Sequence, residues 1–192
     1  MQTAGDSADQ ARPLFGGALS AVVPPGALDV SELRDIPDNQ EVFAHRHTDQ
    51  SLIVELLEYQ AQVSDQEAAR YHFEDIAGSN KALGPGGFQV AAVVEVPKPE
   101  LSLSECSCAW VLTGSQQVSK FNEEATNGVA VGLGLLRLPQ FSTDLLVTFN
   151  DPQRIDPDSS SASADTRREP WTVQDFQRLV QTLTLHDPGL FG

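Results

Sequence analysis

Apolar and polar positions along the chain follow patterns that are typical of both strands and helices. Three central stretches have strand character: 88–96, 109–120 and 129–150, the last of them broken near Pro139. No helical segment separates these stretches, as a doubly wound parallel sheet would require. The pattern therefore predicts an α+β fold with a mainly antiparallel sheet and with helices before and after it.

The clearest helical pattern runs from Ser51 to Val63. At 100° per residue its apolar side chains fill a broad arc, and the remaining narrow ridge carries Glu55, Glu58 and Gln62. We therefore predict a helix that is mostly buried and that presents two carboxylates, one turn apart, to water.

Two further segments are candidates for helices. The first, 66–76, is compatible with a helix or, because of its aromatic centre, with a strand. The second follows Thr172 and Asp175, whose spacing is that of a capping box. A single apolar stripe then predicts a C-terminal helix, and it consists of Phe176, Leu179, Val180 and Leu183.

The N-terminal third is built from short elements. Strand character begins at 14–23, where a pair of glycines interrupts it, and returns at 40–46. Between the two, 29–33 is long enough for one helical turn, and a proline follows it. These signals predict a meandering start to the same domain.

Two segments lack apolar periodicity. Residues 1–13 are polar and acidic and read as a disordered tail, so the single domain is expected to span 14–192. Residues 151–169 are rich in proline, serine and aspartate and read as a mobile loop within it.

The net charge of the chain limits the classes of partner that it can bind. Among its 192 residues, 27 acidic side chains outnumber 12 basic ones, which leaves a formal charge of −15. Phosphate binding depends on lysine and arginine, so a nucleic-acid or anionic-membrane partner is excluded. The longest strongly apolar run, 90–94, is far too short to span a bilayer, so no membrane insertion is expected. Charge alone favours a basic protein surface as the partner.

The negative charge is concentrated in one quarter of the chain. Between Asp29 and Asp75 there are twelve carboxylates and three arginines, a local charge of −9. Three interpretations stay open for this region: a solvated acidic surface, a docking face for a basic protein, or a carboxylate pair of a small hydrolase. The last is disfavoured because the chain has few aromatic residues to build a sugar cleft.

Motifs for other chemistry are weak. There is no nucleophile elbow and no phosphate-cradling loop, so we expect neither a catalytic residue nor a nucleotide or other cofactor bound by this chain. His45 and His47, with Asp49 as a third ligand, form a metal candidate, but histidines near carboxylates are common in loops and explain the pattern better. We therefore expect no metal site.

Nine short blocks resemble, in unbroken order, the Mog-type Ran guanine-nucleotide release factors. No single block is specific, but together they are, because they keep the family's order from residue 14 to the C-terminal end. They are Leu14–Ala18, Val22–Gly26, Asp29–Arg34, Pro37–Phe43, Ser51–Glu58, Tyr71–Asp75, Leu135–Phe141, Thr143–Asn150 and Leu183–Phe191.

The resemblance implies a fold and a function. The fold is an antiparallel sheet between helices, as in the PsbP photosystem proteins. The function is binding of the small GTPase Ran and release of its nucleotide in nuclear protein import, without covalent chemistry, by a monomer of the nucleus and cytoplasm. For animal members it further implies surface delivery of a voltage-gated sodium channel, and with it peripheral association with the plasma membrane through that channel.

The resemblance also implies where Ran binds. The family's acidic face centres on the stretch 29–41 and on the segment with Glu55 and Glu58. The expected Ran-binding residues are Asp29, Glu32, Arg34, Asp35, Asp38, Gln40, Glu41, Glu55 and Glu58. Two alternatives stay open: Arg34 pairs with Asp38 in a structural role, and the protein is a non-catalytic adaptor for Ran or a channel.

Overall fold

The fold is seen in a computed structural model that describes residues 10–79, 87–119, 126–152 and 169–192. Within these ranges, two helices and ten strands follow one another. They are β1 (Arg12–Leu14), β2 (Leu19–Ala21), β3 (Leu28–Asp29), β4 (Gln40–Ala44), β5 (Ser51–Glu58), α1 (Asp65–Ser79), β6 (Phe88–Val96), β7 (Cys108–Ser119), β8 (Thr126–Leu138), β9 (Thr143–Pro152), α2 (Val173–Thr182) and β10 (Thr184–Leu185).

A seven-stranded sheet forms the centre of the molecule. Its strand order is β3-β4-β5-β9-β8-β7-β6, and every neighbouring pair is antiparallel. A second sheet has the order β1-β2-β10 and is also antiparallel. The α+β class and the mainly antiparallel sheet are thereby confirmed.

The two helices lie on opposite faces of the large sheet. On one face, Phe73 of α1 packs in a cluster with Leu133 and Leu135 of β8. On the other, Phe176 and Val180 of α2 share a larger cluster with residues of β5, β9 and the small sheet. Burial of both apolar faces, at about 25 cal/mol per Å², is the main force that holds the layers together.

Glycines let α2 lie directly on the sheet. A Cβ atom added to Gly134 would come 2.8 Å from Cγ2 of Val180, and one added to Gly132 would come 3.0 Å from Cε2 of Phe176. These glycines of β8 therefore serve close packing, and not phosphate binding.

The segment from Ser51 is a strand, so the predicted helix over 51–63 is wrong. Leu52 and Val54 are fully buried and alternate with partly exposed neighbours, which is the period of a strand. The run of leucines and β-branched residues satisfies both periods. Pairing with β4 on one side and β9 on the other decides between them.

The other predicted elements are confirmed. Residues 66–76 lie in α1, and Val30–Glu32 form a 3₁₀ turn where one helical turn was expected. Both halves of the capping box are present, because the Thr172 side chain accepts from the Asp175 N–H while the Asp175 side chain accepts from the Thr172 N–H. A 3₁₀ turn at Pro139–Phe141 separates β8 from β9.

The edges of the domain differ slightly from the prediction. Arg12 and Pro13, assigned to the tail, belong to β1, so ordered chain begins before residue 14. Most of the predicted tail and most of the predicted 151–169 loop lie outside the described residues. Among the helices that are described, neither is long and apolar enough to cross a membrane.

Candidate interaction surface

The acidic loop, which we define as residues 29–39, connects β3 to β4. The Asp29 carboxylate caps its 3₁₀ turn by accepting from the N–H and the hydroxyl of Ser31, at 2.9 and 2.6 Å. Val30 is buried, and its carbonyl accepts from the N–H groups of Leu33 and Arg34. These hydrogen bonds and the buried Val30 side chain therefore hold the turn in place. The side chains on its outer surface remain accessible to a partner.

The end of the acidic loop is fixed to strand β5. The Asn39 side chain donates to the Leu56 carbonyl at 3.0 Å, and the Leu56 N–H donates to the Asn39 carbonyl at 2.9 Å. One residue later, Nε2 of Gln40 donates to Oε2 of Glu55 at 2.7 Å. This bond brings Gln40 and Glu55, two of the expected Ran-binding residues, into direct contact.

Glu41 faces the other side of the sheet. Its Oε1 accepts a hydrogen bond from the backbone N–H of Phe15 at 2.8 Å. Phe15 has a φ of +52°, a conformation that is unusual for a residue other than glycine. The Glu41 carboxylate therefore holds the turn after β1, which is a structural task that the sequence did not indicate.

Glu55 and Glu58 do not share a ridge. Side chains of a strand alternate between faces, so residues three apart point to opposite sides of the sheet. Glu55 lies opposite Leu146 on the α1 side, whereas Glu58 lies opposite Thr143 on the α2 side. Glu55 is partly buried and Glu58 is exposed at the end of β5. The prediction that these two carboxylates lie on one exposed ridge is wrong, because it assumed that residues 51–63 form a helix.

The remaining predicted residues are exposed in the acidic loop. Glu32, Arg34, Asp35 and Asp38 all point into solvent. Within the part of the chain that the structure describes, ion pairs within 4.0 Å involve only a buried cluster elsewhere, so the pairing of Arg34 with Asp38 is not formed.

An exposed leucine lies among these charges. Leu33 is 69% exposed, the highest value among the large apolar side chains of the described residues. An exposed apolar side chain surrounded by charges is typical of a contact surface for another protein. In the sequence this residue looked like part of a helical turn, and nothing there indicated that it would face outward.

The structure contains a buried charged cluster around Arg137 that the sequence did not predict. The guanidinium of Arg137 is fully buried and donates all five of its N–H groups. Two go to Asp144, which is also fully buried, at 3.0 and 3.3 Å. The others reach Asp65 at 2.9 Å and the carbonyls of Gln60 and Val63 at 2.7 and 3.0 Å.

The cluster continues through Asp144. His72 Nε2 lies 2.9 Å from Oδ2 of Asp144, and the Gln60 N–H donates to the same oxygen at 3.2 Å. Burial by itself raises the pKa of Asp144, but the hydrogen bonds from His72 and Arg137 outweigh it, and the pKa lies below its usual value. Asp144 is thus a permanent anion at neutral pH. The one signal in the sequence was a lone arginine in an apolar stretch.

The metal candidate at His45 is not formed. Nδ1 of His45 accepts from the N–H groups of His47 and Thr48, at 3.0 and 3.1 Å. Nε2 therefore carries the ring proton and donates to the carbonyl of Glu169 at 2.7 Å. The described residues contain no group of three side chains that could hold a metal ion.

The surroundings of the two cysteine thiols are typical of structural rather than reactive cysteines. Cys106 and Cys108 are both free, and Cys106 is buried. Burial is the main cause that raises the pKa of each thiol, so neither resembles an activated nucleophile.

Comparison with known families agrees with this architecture. The model of the family described as "Ran-interacting Mog1 protein" matches residues 12–152, from β1 to the end of β9. This chain belongs to the Mog1 family. The match includes the acidic loop, strand β5 and both buried charges of the Arg137 cluster.

Individual Mog1 relatives extend the similarity to almost the whole chain. The Ran guanine nucleotide release factor of Danio rerio is 64% identical over 181 residues, which cover 94% of this chain and 99% of that protein. The Ran guanine nucleotide release factor of Homo sapiens is 52% identical over 181 residues, covering 94% and 95%. A crystal structure of the Saccharomyces cerevisiae Ran-binding protein Mog1p has a TM-score of 0.70 at 27% identity and covers 95% of this chain and 98% of that one.

Proposed function

We propose that this protein binds Ran and promotes the release of its guanine nucleotide, in support of nuclear protein import. It does so as a monomer in the nucleus and cytoplasm, without covalent chemistry. The binding surface is the acidic loop together with Gln40, Glu41, Glu55 and Glu58. Glu41 and Glu55 act mainly by holding neighbouring backbone and side chains in place, because each has an intramolecular partner.

The main support for the proposal is that carboxylates of the acidic loop are exposed and unpaired within the described part of the chain. The side chains of Glu32, Asp35 and Asp38 are exposed and make no hydrogen bond or ion pair with any other described residue. They lie within five residues of Leu33 in the same loop, and Leu33 is also exposed. Apolar contact at the centre of a charged rim is the usual anatomy of a protein interface. The names of the Mog1 relatives supply the partner.

Release of nucleotide requires that the protein bind nucleotide-free Ran and nucleotide-loaded Ran with different affinities. A protein that ejects nucleotide must bind the empty GTPase more tightly than the loaded one. The phosphates of a loaded GTPase are held by a backbone loop, a lysine and Mg²⁺. Carboxylates of the acidic loop can pair with such basic groups once the phosphates leave, and they repel the phosphates while these are present. Tenfold discrimination needs only about 1.4 kcal/mol.

The proposal is tested by following release of a fluorescent guanine nucleotide from Ran. Reversing two loop charges together, Asp35→Lys and Asp38→Lys, should slow release by about tenfold or more, because attraction turns into repulsion. The matched control reverses Glu67→Lys and Glu74→Lys, two exposed carboxylates of α1, and should release nucleotide as the natural protein does. Equal rates for the two double variants would overturn the assignment of the surface.

A second assay separates a catalyst from a non-catalytic adaptor. A release factor present at one tenth of the Ran concentration should empty all of the Ran, whereas a stoichiometric binder should stop near one tenth. The same acidic loop serves both functions, so the loop variants do not distinguish them.

We extend the proposal to delivery of a voltage-gated sodium channel to the cell surface, with peripheral association at the plasma membrane through that channel. The support is the family resemblance of animal members, and no residues are assigned to it. Surface sodium current in cells, with and without this protein, is the measurement that tests it.

A further inference from the structure

Strand β6 leaves one side of the large sheet open. It pairs with β7 along one edge and ends the strand order. Within residues 10–79, 87–119, 126–152 and 169–192, no strand pairs with its other edge. Natural edge strands are usually short or protected by charges, and β6 has nine residues with a single charge, Glu95, near its end. The bulge between Val90 and Ala92 covers only its first half.

A groove runs beside this open edge. The β6 groove, as we define it, is lined by Ala92, Val94 and Val96 of β6, Val111 of β7, and Val180 and Gln181 of α2. Its volume is about 380 Å³. Val94 lies opposite Val111 in the register, which places both on the α2 face of the sheet. Val94 is 59% exposed, so an apolar floor faces solvent directly beside unpaired backbone groups.

The geometry fits an extended chain. A strand added to β6 would donate and accept backbone hydrogen bonds along the free edge, and every second side chain would enter the β6 groove. The exposed amides of Gln177 and Gln181 on α2 border the groove and can bond to such a chain. Valine-sized side chains suit a floor built from valine and alanine.

Charge selects which chain can bind. Glu95 and Glu100 line the groove, and the protein as a whole carries a charge of −15. A second copy of the protein would bring another −15 to the same edge, so pairing of β6 with β6 is opposed by long-range repulsion. A segment with lysine or arginine between its apolar residues is attracted instead.

We propose that the free edge of β6 and the β6 groove bind an extended segment of a partner protein in which apolar residues alternate with lysine or arginine. This surface lies at the opposite end of the sheet from β3 and the acidic loop. Six strand intervals of about 4.8 Å, or roughly 29 Å, separate the two edges. The protein can therefore hold this partner and the partner of the acidic loop at the same time.

Three fluorescein-labelled nonapeptides test the proposal. Each has valine at alternate positions, with lysine, threonine or glutamate between them. By fluorescence anisotropy the lysine peptide should bind most tightly, and the glutamate peptide at least about tenfold more weakly. Hydrogen exchange should show slower exchange of the β6 amides when the lysine peptide is bound. Light scattering should give a monomer in its absence.

Two matched variants separate the surfaces. Val94→Arg fills the β6 groove with a positive charge and should abolish binding of the lysine peptide, while release of nucleotide from Ran stays unchanged. Leu33→Arg introduces the same charge at the acidic loop and should leave peptide binding unchanged. The proposal fails if binding of the lysine peptide does not saturate, if this peptide also binds Val94→Arg, or if the glutamate peptide binds as tightly. It also fails if the β6 amides are not protected from hydrogen exchange by the lysine peptide, or if the free protein dimerises through β6. None of these outcomes depends on whether Ran is the partner of the loop.

Discussion

Two regions of the molecule use charge in opposite ways. The acidic loop presents Glu32, Asp35 and Asp38 to water, and they have no partner among the described residues. In the cluster around Arg137, the guanidinium and the Asp144 carboxylate are instead completely buried and paired, while Asp65 at the rim is 53% exposed. Exposed charges of one sign contribute little to stability and remain available to a partner, whereas buried charges must be satisfied inside the fold. The carboxylates of the first region are accessible to a partner, whereas the charges of the second are used within the fold.

The buried cluster also connects the two regions. It ties the chain between β5 and α1 to the β8–β9 hairpin through the carbonyls of Gln60 and Val63. Strand β5 is the same strand that receives the end of the acidic loop through Leu56. A rigid β5 therefore gives the exposed loop a fixed base, although no charge is shared between the two regions.

The largest effect is expected when the buried pair is broken. Asp144→Asn removes the buried negative charge and leaves the buried Arg137 guanidinium with the half-exposed Asp65 as its remaining ionic partner. The free energy of unfolding should fall by about 3 to 5 kcal/mol, measured by urea denaturation. The matched control is Asp35→Asn in the acidic loop, which should change it by less than about 0.5 kcal/mol. Similar losses for both variants would contradict the distinction between the regions.

Acid should remove part of the same stabilisation. The pKa of Asp144 is lower in the folded protein than its usual value, because hydrogen bonds from His72 and Arg137 outweigh burial. The stabilisation is therefore complete above the unfolded pKa of about 3.9 and is lost as the pH falls below it. Urea denaturation between pH 7 and pH 3 should show the natural protein and Asp144→Asn converging in stability as acid is added. A constant difference would show that Asp144 does not titrate as the structure indicates.

A smaller effect should follow from removal of the apolar centre of the loop. Leu33→Ser should weaken binding to nucleotide-free Ran by at least about tenfold, because burial of a leucine contributes about 1.5 to 3 kcal/mol. The unfolding free energy should not fall, since Leu33 is 69% exposed. Val94→Ser, also at an exposed apolar position, is the control and should bind Ran normally. Calorimetric titration against Ran measures both.

The smallest effects distinguish Glu55 from Glu58. Glu55→Ala loses the hydrogen bond with Gln40 and should lower the unfolding free energy by about 1 kcal/mol. Glu58→Ala removes an exposed side chain and should leave it within about 0.5 kcal/mol. If the two lay on one exposed ridge, the two variants would be equally stable. Urea denaturation decides between the arrangements.

Most of the fold could be predicted from local pattern. The central strands, the C-terminal helix and its capping box depend on residues that are close in sequence, such as Thr172 and Asp175. Strand β5 could not be assigned in this way. Its run of leucine, isoleucine and valine is apolar at both the helical and the strand period, and the choice depends on pairing with β9, almost a hundred residues later.

The exposure of the acidic loop could be anticipated from the sequence, but the contacts made by the residues around it could not. The excess of carboxylates and the family resemblance both indicated the loop from Asp29, and the structure exposes most of it. The separate tasks of Glu41 and Glu55 depend on contacts with Phe15 and Gln40, which only the folded chain brings together. The Arg137 cluster was missed for the same reason, since Asp65 and His72 are far from Arg137 in sequence.

The contacts of Arg137 constrain the evolution of the connection between β5 and α1. Its guanidinium binds the carbonyl oxygens of Gln60 and Val63, which every amino acid possesses. Homologous chains are therefore free to change the side chains at these two positions. An added or deleted residue between these positions is not tolerated, because the two carbonyl oxygens would then lie too far from the N–H groups of the Arg137 guanidinium. The length of this connection should be more uniform among relatives than its sequence.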